Sequence, residues 1–358
     1  MNIDTYISEI REILDKEYEE YRPQLEMYLK LLLSERRINP INIRLSSLIA
    51  IVSLELRRST KTTLKYLEGV YHNYHAIISK CDFTMLTTNL AFIYMHECAN
   101  KEHAAVDLLK QSIDAGSTFA ETYFGLALIY FKNLNYIEAL PIFKKACEYS
   151  DQFRYRYNYA VNLYQCGFIC KAIEYLKDLS KDWKCNSNSA HAYFLLCNIY
   201  AIQNDMEAVK KIVSDFLSMG HSFDDIEDID FANLLFFICE YEKSAFLYEN
   251  SNYVESAEWL GQYFYCLMVM QQMQKAKEKL DEVINNIKED ISEKQNDPLE
   301  WKKTELKNYV NFKYKKLSEI LKCYDDVFIH SQKPEFHFKP VLIEGCYYID
   351  CPRHSISV

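Results

Sequence analysis

Between residues 120 and 151 the chain reads AETYFGLALIYFKNLNYIEALPIFKKACEYSD, and its apolar positions fall into two helical stripes. Tyr123, Leu126, Ala127 and Tyr130 recur at three- and four-residue steps and share one face of a first helix. Ala139, Phe143 and Ala146 form the apolar seam of a second, and Asn133 to Asn135 supply a short polar turn between the two. A lone hairpin of this kind cannot bury both faces, so the pattern predicts neighbours of the same design.

Those neighbours are visible in the spacing. Tyr94, Tyr130, Tyr164 and Tyr200 lie 36, 34 and 36 residues apart, each near the end of a predicted first helix. Behind each comes a small residue, Ala104, Ala139, Ala172 or Ala208, and four positions later a large one, Leu108, Phe143, Leu176 or Ile212. Small then large at i and i+4 lets two backbones approach while the larger side chain fills the space between hairpins.

The segment Tyr123–Ala146 resembles a tetratricopeptide repeat, whose pattern places an aromatic, a Leu, a small residue and a Tyr on the first helix and Ala, Phe and Ala on the second. Here Tyr123 stands where Trp is commonest, and no Pro closes the repeat near Asp151. Weaker copies occupy 84–115, 155–182 and 190–218, and a further hairpin at 238–264 keeps Tyr241, Ala245, Tyr248, Ala257 and Gly261. The resemblance implies an all-α fold, a right-handed superhelical solenoid of antiparallel helix pairs. It also implies a concave surface, lined by first helices, that receives an extended peptide or a partner helix.

Three regions are expected: an N-terminal helical cap or degenerate repeats at 1–80, the solenoid at 81–322, and an irregular or β-like tail at 323–358. In the first, Ile3–Leu33 reads as a long helix broken at Pro23, followed by helices at Leu45–Glu55 and Thr62–Ser79 with Thr60 as a candidate N-cap. Acidic Asp224–Asp230 is either a solvated connection or the first turn of a helix. Ala276–Ile291 and Trp301–Leu321 read as long amphipathic helices. After Cys323, Val327–His330, Glu335–Phe338 and Val341–Ile349 are rich in aromatic and β-branched residues and interrupted by Pro334, Pro340 and Gly345. This tail either packs on the last helices or docks back on the chain as an internal ligand.

Composition narrows the function. With 7 Gly and 7 Pro in 358 residues, the chain has little material for tight loops or phosphate-cradling turns. The formal charge is −10 and no basic stripe appears, so nucleic acid is not an expected partner. No apolar run approaches about 18 residues, which predicts no membrane span, and a cytoplasmic location is expected. The 12 Cys are scattered through helical patterns, and Cys81, Cys147, Cys197 and Cys266 read as reduced core or near-core residues.

The expected inner wall runs through Phe92, Met95 and His96, then Phe124, Leu128 and Phe131, then Tyr155, Asn158, Asn162 and Gln165, then His191, Phe194, Asn198 and Ala201. Phe124, Leu128, Tyr155, Asn158, Asn162, His191, Phe194 and Asn198 are the candidate partner-binding residues. An asparagine amide carries both a donor and an acceptor, so Asn158, Asn162 and Asn198 suit a peptide backbone; the alternative is that they are ordinary exposed helix residues. No Lys or Arg is evident beside them, which argues against capture of a terminal carboxylate. The expected function is a non-enzymatic protein- or peptide-binding adaptor or regulator without a cofactor. A toxin-neutralising or signalling-peptide-responsive regulator of bacterial type is the alternative, the acidic charge then suiting a basic partner. Cys346, Cys351 and His354, with His330 and His337, are a candidate metal or enzymatic cluster, but their spacing matches no zinc motif; Cys166 with Cys170, His72 with His75, and Glu97, Glu102 and His103 read as ordinary turn or helix residues. HExxH, Gly-x-Ser-x-Gly and kinase patterns are absent.

Overall fold

The computed structural model describes residues 2–219, 228–251, 256–296, 303–336, 338–345 and 347–353. Among them every regular element is an α-helix, and the tail after residue 328 forms no strand. They fall into two compact units, the described residues of Met1–Tyr175 with Val341–Val358, and those of Leu176–Pro340. Unit 1 contains α1 (Ile3–Leu14), α2 (Tyr18–Ile38), α3 (Ile43–Glu55), α4 (Thr60–Tyr74), α5 (Lys80–Glu97), α6 (Glu102–Asp114), α7 (Ala120–Lys132), α8 (Tyr136–Tyr149) and α9 (Phe153–Gln165). The division falls within α10 (Ile169–Leu179). Unit 2 contains α11 (Ser187–Ile202), α12 (Met206–Met219), α13 (Asp228–Phe237), α14 (Tyr241–Asn250), α15 (Ala257–Val269), α16 (Met273–Asn296) and α17 (Lys303–Phe328).

One turn recurs between first and second helices. After α7, Leu134 adopts a left-handed φ of 62°. Its N–H donates to the Phe131 carbonyl at 2.9 Å, and the N–H of Asn135 donates to Tyr130 at 2.8 Å. This crossed pair is a Schellman cap: it satisfies carbonyls that the helix end leaves bare and reverses the chain within two residues. The same pair of bonds forms around Gly167, Asn204, Cys239 and Gln271, also at positive φ. These turn residues follow one another at intervals of 33, 37, 35 and 32 positions, so the repeat inferred from the tyrosines is a repeat of hairpin closures. Only one of the five is glycine, which reconciles the turns with the glycine-poor composition.

Burial between hairpins follows the small-then-large pattern. Ala139, Phe143, Ala146, Ala172 and Leu176 are wholly buried. In α6 and α12 the seam is centred one residue later than expected: Ala105 and Val209 are fully buried, whereas Ala104 and Ala208 are half-buried. In unit 1 each helix packs on its successor, and α1, α3, α5 and α7 also neighbour one another in order. Those first helices therefore present one shared wall. Unit 2 repeats the scheme, with α11, α13 and α15 in order.

Several local expectations need correction. The N-terminal helix breaks at residues 15–17, and Pro23 lies inside α2, where it removes one bond, to the Glu19 carbonyl, without ending the helix. Ser59, not Thr60, caps α4, its hydroxyl accepting from the Thr62 N–H at 3.4 Å. Cys81 is exposed in the first turn of α5, while Cys197 and Cys266 are buried. The segment 238–264 is the second helix of one pair and the first of the next. Val327 and Phe328 end α17 instead of starting the tail. Residues 224–227 and Trp301 lie outside the described residues, and Asp228 and Asp230 occupy the first turn of α13.

Leu134 is 69% exposed, and a left-handed non-glycine costs about 1–2 kcal/mol. Replacement by glycine adds about 0.5–1 kcal/mol of unfolded-state entropy. Leu134→Gly is expected to raise stability by about 0.5–1 kcal/mol in urea unfolding; a destabilised variant would refute the turn assignment.

Candidate functional site

The wall of unit 1 is occupied. The described residues of 341–353, without helix or strand except for turns at 349–350 and 352–353, lie against α9, α7, α5, α3 and α1. Two asparagines hold this segment by its main chain. Asn158 Nδ2 donates to the Ile343 carbonyl at 2.8 Å while Asn158 Oδ1 accepts from the Ile343 N–H at 2.9 Å. Asn89 on α5 repeats the exchange with Ile349, at 3.2 and 2.8 Å. Both amides are essentially inaccessible to water. The two clamped positions, Ile343 and Ile349, are six residues apart. Asn89 stands on α5 and Asn158 on α9, two first helices apart in chain order.

Between the clamps Tyr347 enters an aromatic pocket. Its ring centroid lies 5.0 Å from Phe124, 5.4 Å from Phe92 and 6.2 Å from His96, with the Arg154 guanidinium 5.5 Å away over the face. The ring is 1% exposed, a burial that contributes about 2–3 kcal/mol. Tyr155 supports the pocket from behind, 4.9 Å from Phe124, and its hydroxyl accepts from Arg154 at 2.8 Å and faces Glu121 at 3.2 Å. Burial, with Glu121 adding to it, pushes the Tyr155 phenol far above its ordinary range, so it stays neutral.

Charge fixes the remainder of the segment. Arg44 Nε donates to Asp350 at 2.6 Å, and Nη2 reaches Asp4 at 2.6 Å. Arg353 forks onto Glu55 at 2.8 and 2.9 Å and also meets Tyr21 and the Leu14 carbonyl. Its hydrogen bonds to Glu55 raise an already high pKa. Arg11 donates to the Pro352 carbonyl at 3.0 Å, and Lys132 pairs with Glu344 at 2.9 Å. The basic side chains not evident from sequence are thus present, and they meet the segment's acids and carbonyls.

Of the expected partner-binding residues, the structure gathers Phe124, Tyr155 and Asn158 around this segment. Leu128 is buried in α7. Asn162 donates to the Tyr136 carbonyl at 3.0 Å, and its buried Oδ1 has no partner among the described residues. His191, Phe194 and Asn198 lie on α11 of unit 2. There Asn198 Nδ2 donates to Phe194 of its own helix at 2.9 Å, Phe194 packs edge-on to Phe216, and His191 is half-buried. Asn89, Arg11, Arg44, Lys132 and Glu55 were not identified from sequence. Asn89 sits one turn before Phe92, a spacing that places it on the predicted wall.

Unit 2 shows a related contact. Gln262 on α15 donates to the Glu335 carbonyl at 3.3 Å, and the Tyr248 hydroxyl stands between the carbonyl oxygens of Gln262 and Asn233. Phe336 packs 5.3 Å from Phe237, and Lys333 lies over Phe236 at 5.1 Å. A Cβ on Gly261 would meet the Cys323 sulfur, which would have to shift to admit it.

Cys346, His337 and His354 lie outside the described residues, Cys351 is buried in unit 1, and His330 belongs to unit 2. No group of three His, Cys, Asp or Glu side chains among the described residues is arranged to hold a metal ion. Burial pushes the thiols of Cys147 and Cys323 up to about 11 and that of Cys266 up to about 12, far from thiolate character at neutral pH. Among the described residues, no helix is long and apolar enough to cross a membrane.

Hairpins closed by one turn at a recurring interval, stacked first helix on first helix, define the architecture. Such stacked helix pairs are similar to those of tetratricopeptide proteins. No family model matches the sequence, and no curated protein matches it. Among solved structures, YrrB, a tetratricopeptide protein described as having an unusual peptide-binding site, is similar at 14% identity and a TM-score of 0.42, over 52% of this chain and 91% of that one. Yeast Tom70 is similar at 12% identity and a TM-score of 0.47, over 88% of this chain and 63% of that one. A tetratricopeptide repeat protein from Parabacteroides merdae is similar at 14% and 0.45, over 70% and 94%.

Two predictions follow from the pocket. A Cβ on Gly125 would stand 2.8 Å from the Phe92 ring, which is buried beneath Tyr347. Overpacking of this kind costs about 1–3 kcal/mol, more than the roughly 1 kcal/mol that alanine gains over glycine in a helix. Gly125→Ala should therefore lower the unfolding midpoint and speed hydrogen exchange across 343–349; unchanged exchange would show that Phe92 does not set the pocket. Burial of the His96 ring, helped by Lys132, holds its pKa below the ordinary 6.5. A lowered base pKa means that docking favours the neutral ring. Stability is then full above pH 6.5 and is lost as pH falls from there toward the lowered value. The effect is small because His96 is exposed and solvent screens the ring. Wild type should lose more thermal stability than His96→Phe between pH 7.5 and 5.5; equal losses would refute it.

Proposed function

We propose that this chain is a non-enzymatic protein- or peptide-binding adaptor or regulator whose wall of first helices takes an extended segment of a partner. The observation that carries the reading is the pair of clamps by which Asn89 and Asn158 hold main-chain groups six residues apart. An amide that exchanges both bonds with a peptide unit recognises what every non-proline residue possesses, so the wall is suited to segments other than its present occupant. In this reading Phe124, Leu128 and Tyr155 shape the apolar floor. Asn162 offers a further acceptor, and His191, Phe194 and Asn198 are the corresponding set on α11. The net charge of −10 favours a basic partner of the toxin or signalling-peptide kind for surfaces outside the wall of unit 1, because on that wall Arg11, Arg44, Lys132 and Arg154 offset Asp4, Glu55 and Glu121.

The test is titration of a synthetic peptide with the sequence of residues 341–353 into a chain ending at Pro340. Saturable binding is expected, weakened at least tenfold by Asn89→Ala with Asn158→Ala, since each lost clamp strands buried main-chain groups at about 1–3 kcal/mol apiece. A folded truncated chain that binds no peptide overturns the proposal. Should truncation unfold the protein, hydrogen exchange in the full-length double variant decides: residues 343–349 should lose protection, and retained protection refutes the clamps.

A further inference from the structure

We infer that residues 341–353 occupy the wall as an internal competitor, and that the partner displacing them carries a segment of the same chemistry: an acid, a tyrosine three positions on, an Ile-Asp pair following, and an arginine near its end. This rests on the peptide-binding reading and deepens it by naming the class of ligand and the state in which the wall is blocked.

The contacts divide into two kinds. Asn89, Asn158 and Arg11 hold main-chain groups of the segment, contacts that read no sequence. The other contacts read side chains: the Phe92–Phe124–His96 pocket takes Tyr347, Lys132 takes Glu344, Arg44 takes Asp350, and Glu55 with Tyr21 takes Arg353. Charges of both signs are thus matched in register, acid to base at two positions and base to acid at a third. A segment with these signs reversed would face like charges at all three.

The occupant is separable from the hairpins. Each turn of unit 1 that reverses the chain by a Schellman pair closes on its own backbone, and none of those bonds involves residues 341–353. The segment is joined to the wall by side chains and by Tyr347, with no strand or helix of its own among the described residues. Beside it a pocket of about 400 Å³, lined in part by Tyr21, Glu55, His96 and Tyr348, stays open. A tethered segment acts at an effective concentration of about millimolar. A free segment of equal intrinsic affinity therefore binds the intact chain weakly, in proportion to the small fraction of chains whose wall is vacant.

The experiment uses the full-length chain and fluorescent peptides with the sequence of residues 341–353, native or carrying Glu344→Lys with Asp350→Lys. In one variant the chain's own tail is weakened by Tyr347→Ala and Arg353→Ala, leaving the wall intact. The weakened chain should bind the native peptide at least tenfold more tightly than wild type does. The charge-reversed peptide should bind at least tenfold more weakly, and Lys132→Glu with Arg44→Glu in the weakened chain should restore it. Equal affinity of the weakened chain and wild type overturns the internal competitor. Equal affinity for both peptides overturns the ligand chemistry while main-chain recognition survives, whereas binding of neither peptide by a folded weakened chain brings down the peptide-binding reading itself. A concentration-dependent dimer would make a second copy's tail the occupant and also overturns the inference. If the double tail variant loses helical signal, Arg353→Ala alone takes its place with the same outcomes.

Discussion

A carboxamide side chain presents a donor and an acceptor side by side, which is the complement of one residue's own N–H and C=O. Asn89 and Asn158 use that complementarity to hold a segment that has no regular partner for its backbone. Without them, burying Ile343 and Ile349 main-chain groups against the wall would strand them at a cost comparable to the gain from Tyr347. The aromatic pocket, the flanking ion pairs and the irregular course of the segment all presuppose that those groups are satisfied.

The wall exists because the hairpins are regular. Schellman closures of constant geometry set each pair's second helix against its first, and small residues such as Ala139 and Gly125 let consecutive pairs come close. Close approach is what brings Phe92 on α5 and Phe124 on α7 to one side chain of the bound segment. Packing between hairpins and recognition on their surface are thereby the same contacts seen from two sides.

Helical periodicity made the hairpins legible, since the apolar stripes of Tyr123–Ala146 are dictated by backbone geometry alone. Asn158 was legible for a related reason: a polar residue on an otherwise apolar first-helix face. Asn89 was marked only by its register, one turn before Phe92, on a helix buried nearly all round between Thr84 and Tyr94. Asn162 and Asn198 look identical to Asn158 in sequence, yet their amides serve carbonyls of neighbouring or own helices. Arg44 and Lys132 lie at helix ends, where charges ordinarily face water. Their roles depend on residues more than two hundred positions away, a separation that no local pattern encodes.

Holding a chain through its N–H groups imposes a rule on what can be held. Ile343 and Ile349 each donate a main-chain hydrogen, and an imino acid has none to give. The native sequence obeys this: Pro340, just before the segment, and Pro352, within it, stand on either side of the clamped interval. Any guest chain is bound by the same grammar, free in most of its side chains but barred from proline at two places six residues apart.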